Sequence, residues 1–161
     1  MRSHCKRNAR RIAVFGFALA AAAWTVGSAG AAPIELGGMV GEPTGLSAKF
    51  WTTENTAVTT AAAWSLDDDE AVHLHADVTT HDFGLFQVDK GELGLYYGLG
   101  GRLLVDDNDD DRFGFRVPVG LAYLFENAPL TLFGEAVPLL DVAPGTDFTM
   151  NGAVGVRFVL R

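Results

Sequence analysis

Apolar and polar residues alternate with a period of two along most of the chain. The C-terminal stretch is the clearest case. Phe148, Met150, Gly152, Val154, Val156, Phe158 and Leu160 fall on one face, and Thr149, Asn151, Ala153, Gly155, Arg157 and Val159 on the other. A helix would scatter the first set around its axis, whereas a strand collects it on one side. The same pattern runs through Phe113–Phe125 against Arg112–Leu124, through Leu93–Leu103 against Glu92–Arg102, and through Val72–Val78 against His73–Thr79. Leu130, Leu132, Ala136 and Leu140 likewise alternate with Thr131, Phe133, Glu135 and Asp141.

Turn-forming residues separate these runs at 41–45, 53–55, 67–70, 82–91, 106–111, 127–129 and 143–146. The breaks predict eight strands at 34–41, 45–52, 56–65, 71–80, 92–104, 112–126, 129–142 and 147–160. Eight strands with short connections predict an up-and-down antiparallel sheet, and closing it removes both exposed edges. The fold class expected is all-β, an eight-stranded antiparallel transmembrane β-barrel. Pro118 and Pro138 fall inside predicted strands, where they cannot donate to a ladder.

Two closed architectures fit this pattern. A soluble barrel turns its apolar face inward, and a membrane barrel is inside out. Placement of the aromatic and glycine residues favours the second. Trp51, Trp64, Tyr123, Phe125 and Phe158 lie at or near strand ends, where the aromatic girdles of a membrane barrel sit, and Gly94, Gly98, Gly100, Gly114 and Gly120 share the polar face. Small residues inside a narrow barrel leave room for long charged ones. The expected lumen charge network is Lys49, Arg102, Arg112, Arg116 and Arg157 against Glu35, Asp77, Glu92, Glu135 and Asp141. Unpaired charges in so confined a space are costly, so a salt-bridged plug is expected rather than a pore.

Charge distribution separates the first residues from the rest. Arg2, Lys6, Arg7, Arg10 and Arg11 precede an apolar run, 12–27, which ends in Ala29-Gly30-Ala31. That order reads as a signal peptide over 1–31 with cleavage after Ala31, leaving 32–161 as the barrel domain. The remaining part carries 7 basic residues against all 20 acidic ones. Such acidity disfavours nucleic acid as a partner. The one cysteine, Cys5, lies in the predicted leader, so no disulfide or thiolate chemistry is expected in 32–161.

The stretches 41–49, 73–77, 95–102 and 112–123 together resemble the small outer-membrane β-barrels of Gram-negative bacteria, and more narrowly a family of small exported barrel proteins. The resemblance covers most of 34–160. It implies fold and a location in the outer membrane, with periplasm as the alternative, and it carries no activity. The last strand also resembles the recognition signal for outer-membrane assembly, through Gly155, Phe158 and Leu160. It departs from that signal at Ala153 and in ending on Arg161.

His73, His75 and Asp77 form a polar cluster on one strand face. Neighbours two apart on a strand are about 6.6–7 Å apart at the backbone, awkward for joint chelation, so hydrogen-bonded lumen groups are expected and no metal or cofactor. A lipid hydrolase would pair one of these histidines with Ser47 or Ser65 and with Glu135, but no nucleophile motif is present and catalysis is not expected. The acidic runs 67–70 and 106–111 fail the EF-hand spacing and read as solvated loops, with weak bridging of divalent cations or lipopolysaccharide as an alternative. The expected partners are outer-membrane lipid, lipopolysaccharide and the assembly machinery, for a monomer with a structural or surface-interaction role. A soluble periplasmic barrel binding a small apolar ligand and a lipid-modifying enzyme remain as alternatives.

Overall fold

The computed structural model describes residues 33–64, 72–105 and 111–160. The signal peptide expected over 1–31, Cys5, Ser65, the run 67–70 and all of 106–111 except Asp111 lie outside the described residues, as does the side chain of Trp64.

Nine strand segments follow one another: β1 (Ile34–Gly41), β2 (Thr44–Trp51), β3 (Thr56–Trp64), β4 (Val72–Asp82), β5 (Glu92–Val105), β6 (Arg112–Arg116), β7 (Val119–Leu124), β8 (Leu130–Ala143) and β9 (Asp147–Leu160). All pairings are antiparallel between neighbours, and β6 and β7 share one place between β5 and β8. β1 pairs with β9 from Ile34↔Leu160 to Gly41↔Ala153, which closes a ring of eight strands. The alternation of residue types along the chain accounts for this, because each strand then has one face suited to each side of the ring.

The sixth strand breaks where the two prolines meet. Arg116 opposes Leu139 and Val119 opposes Ala136, so Val117 and Pro118 stand opposite Pro138 and Val137 with no slip in register. Val117 N–H donates to the Pro138 carbonyl and Gly98 N–H to the Pro118 carbonyl, each at 3.0 Å. Each proline thus keeps the bond its carbonyl accepts and forgoes the one its nitrogen cannot make. One defect is on the β8 side and the other on the β5 side, and the ring tolerates both without an edge.

β4 runs two residues beyond its predicted end. Asn55 holds the extension, its carbonyl accepting from His81 N–H at 2.7 Å and its side-chain amide donating to the His81 carbonyl at 3.2 Å.

Candidate functional site in the ring interior

Burial follows strand parity. Leu99, Phe115, Met150, Val154 and Phe158 are more than half exposed on the outer face, while Glu35, Lys49, Asp77, Arg116, Asp141 and Arg157 are at most 3% exposed inside. The apolar core cluster is small: Met39, Ala61, Ala63, Tyr96, Ala122 and Phe133. The interior is therefore organised by charge and hydrogen bonding.

Cross-strand glycines make this possible. Five inward glycines each stand opposite a large or charged inward residue: Gly37 faces Arg157, Gly100 faces Asp77, Gly114 faces Asp141, Gly120 faces Tyr96 and Gly155 faces Phe133. A methyl group at Gly120 would meet the Tyr96 ring 2.6 Å away, and one at Gly155 would meet the Phe133 ring at 2.5 Å. The missing side chain on one strand is the space into which its neighbour's lies, a cross-strand pairing of aromatic on glycine.

Arg102 forks onto Asp141, with Nε 2.9 Å from Oδ1 and a second bond from Nη2 to Oδ2. Arg116 reaches two carboxylates, Asp77 Oδ1 at 2.9 Å and Glu135 Oε1 at 3.1 Å. The other Glu135 oxygen accepts from the Tyr96 hydroxyl at 2.8 Å. Asp77, Arg116, Glu135 and Tyr96 belong to four different strands, so this run of contacts braces the ring across its interior.

A second cluster lies near the end where Ile34 and Leu160 meet. Lys49 Nζ donates to His81 Nε2 at 2.9 Å and sits 5.1 and 5.2 Å from the centroids of Trp51 and Tyr96. The His81 ring packs against Trp51, Phe83 and Tyr96 with centroids 4.6–5.9 Å apart. Arg157 donates from Nε and Nη2 to the Ser47 hydroxyl at 3.1 and 2.9 Å, and its guanidinium carbon lies 3.6 Å from the Phe133 centroid. Opposite Gly37 and stacked on a ring, this guanidinium combines hydrogen bonding with cation–π attraction.

Three placements differ from the sequence reading. Glu92 is exposed, because it is the first residue of β5 and stands at the rim. Arg112, the first of β6, is half-buried for the same reason. Trp51 does not join an outer aromatic belt: it shares parity with Lys49, turns inward, and donates its indole N–H to Glu35 Oε1 at 2.7 Å. Tyr123 and Phe125 do stack edge to face at a strand end, with centroids 4.8 Å apart.

His73, His75 and Asp77 are all buried on the inner face of β4, with His75 Nε2 3.9 Å from Asp77 Oδ2. Among the described residues no group of three His, Cys, Asp or Glu is placed to hold a metal ion. Ser47 pairs with Ala61, which pairs with His75, so the serine and the histidine are separated by two strand spacings, about 10 Å at the backbone. Gly155, Phe158 and Leu160 lie in β9, with Phe158 and Leu160 more than half exposed on the outer face. The sequence reading missed His81, Tyr96 and Trp51 as members of the interior network. Parity marks all three as inward, and the continuation of His73-His75-Asp77 through Thr79 to His81 was the available signal for the first.

No family model matches the chain, and no curated protein matches it. Among solved structures it is similar to the N-terminal β-barrel domain of OprF from Pseudomonas aeruginosa. The TM-score is 0.56 at 17% identity, over 80% of this chain and 96% of that one. The likeness shows the fold: a β-barrel of that kind.

Proposed function

We infer that the chain is a small outer-membrane β-barrel with a structural or surface-interaction role. One observation carries this reading: the ring is inside out. A protein in water buries apolar side chains and solvates its charges. Here the ion pairs fill the interior and a belt of Leu, Val, Phe and Met covers the outside. Such a surface is compatible with a hydrocarbon environment and is an aggregation hazard in water. The similarity in fold to a barrel domain of OprF supports the same reading. Export would use the leader at 1–31, the partners would be outer-membrane lipid and lipopolysaccharide, and Gly155, Phe158 and Leu160 would present the last strand to the assembly machinery.

The interior acts as a plug in this proposal. Arg102 with Asp141, and Arg116 with Asp77 and Glu135, occupy the space through which an ion would pass. No catalytic role is proposed, since Ser47 is engaged by Arg157.

The test is an envelope fractionation followed by gels run unheated and boiled. Enrichment in the outer membrane with a band that shifts on boiling is the expected result. A soluble band without a shift would overturn the reading. In planar bilayers the purified protein is expected to give no step conductance, and stable unitary steps would overturn the plug.

A further inference from the structure

We propose that the segment joining β4 to β5, residues 83–91, is a membrane-interface anchor that inserts Leu85, Phe86 and Val88 among the phospholipid headgroups of the leaflet beside it. The proposal rests on the membrane-barrel reading above. Three connections lie at the end of the ring where β1 begins and β9 finishes. Residues 52–55 are Thr, Thr, Glu and Asn, and residues 125–129 are Phe, Glu, Asn, Ala and Pro, with one large apolar side chain, Phe125, exposed. The third is longer and carries three large apolar side chains that are 57%, 42% and 40% exposed. The protein itself does not cover them: the segment's own Phe83, Phe86, Gln87, Val88 and Gly91, with the adjoining Glu92, line an open hollow of about 350 Å³.

The two ends of the segment determine which way it faces. At its start Phe83 stacks on the inward His81, 5.9 Å between centroids, so the chain leaves from the mouth of the ring. At its finish the outward-facing Tyr123 donates its hydroxyl to the Lys90 carbonyl at 2.9 Å. Gly91, with φ +68°, packs directly against the same tyrosine. The segment therefore crosses the rim and is fastened to the outer wall, next to the Tyr123–Phe125 pair. That pair ends the apolar belt, and aromatic residues at such a boundary sit at headgroup level. An apolar tip fastened at that level meets the headgroup layer and the first methylenes of the acyl chains, not open water, while the exposed Asp89 and Lys90 beside it balance in charge.

The test uses single-cysteine variants of the full chain in a Cys5→Ser background, spin-labelled in phosphatidylethanolamine/phosphatidylglycerol vesicles. Labels at Leu85→Cys, Phe86→Cys and Val88→Cys are compared with Leu99→Cys in the belt and Glu54→Cys in the polar turn. Accessibility to oxygen relative to a water-soluble nickel complex is expected to be several-fold higher at the three loop sites than at Glu54, approaching that at Leu99. Loop labels as nickel-accessible as Glu54, with Leu99 shielded, would overturn the anchor and leave the membrane barrel standing. A nickel-accessible Leu99 would overturn both. Loop labels immobilised and shielded from both reagents would identify a protein cover and overturn the lipid as occupant.

Discussion

Asp141 holds the guanidinium of Arg102 by two bonds at side-chain exposures of 3% and 6%, so its loss leaves a buried charge without a partner. Asp141→Ala is expected to cost about 3–5 kcal/mol, read from the urea midpoint in detergent micelles. Replacing both residues by leucine is expected to recover most of that loss, because the desolvation cost of the pair disappears with its attraction. A double mutant no more stable than Asp141→Ala would show that the pair is not what the site depends on. Parity alone made Lys49, Arg102 and Arg157 legible as inward residues. Their partners were not legible. Arg116 meets Asp77 from two strands away and Arg102 meets Asp141 across β6, contacts set by the curvature of the closed ring and by side-chain reach. Lys49 against His81 was hidden further, since His81 lies one residue past the predicted strand 71–80, which the bonds from Asn55 extend.

Strands here are matched by volume as well as by hydrogen bonds. Tyr96 lies where Gly120 has no side chain, and its hydroxyl then reaches Glu135. Gly120→Val is expected to displace that ring and cost about 1–3 kcal/mol as an overpacked site, with a matching drop in the temperature of the gel shift. An unchanged shift temperature would mean that the ring can move aside freely. Inward glycines were legible as spacers, but the residue each one serves depends on register, and register is fixed by pairing. The prolines show the converse. Read singly, each threatened a closed ladder. Read together, Val117 N–H to the Pro138 carbonyl shows that the strand pair retains half of its bonding there. Pro138→Ala restores one donor facing the Val117 carbonyl, worth about 0.5–1.5 kcal/mol net, against about 0.4–1 kcal/mol of unfolded-state entropy regained. The expected outcome is a urea midpoint close to that of the parent.

For the molecule as a whole, the sign of one substitution separates the two closed architectures. Leu99 is 69% exposed at the middle of β5. On a surface in water, Leu99→Arg would stay within about 0.5 kcal/mol of the parent. At the midplane of a bilayer it is expected to cost about 2–4 kcal/mol, measured as folding into lipid vesicles from urea. Architecture was the most legible level of all: period two in eight runs, separated by turn residues, leaves few alternatives to a closed antiparallel sheet. Closure also has a temporal side. Ile34 pairs with Phe50 on one side and with Leu160 on the other, so one edge of the first strand made is the last to be satisfied. From the moment β1 is synthesised until β9 exists, the nascent polypeptide carries an adhesive border that would accept any other extended segment. In the exported barrel proposed above, an escort would act as a sheath for that border and let go only when β1 and β9 are both at hand.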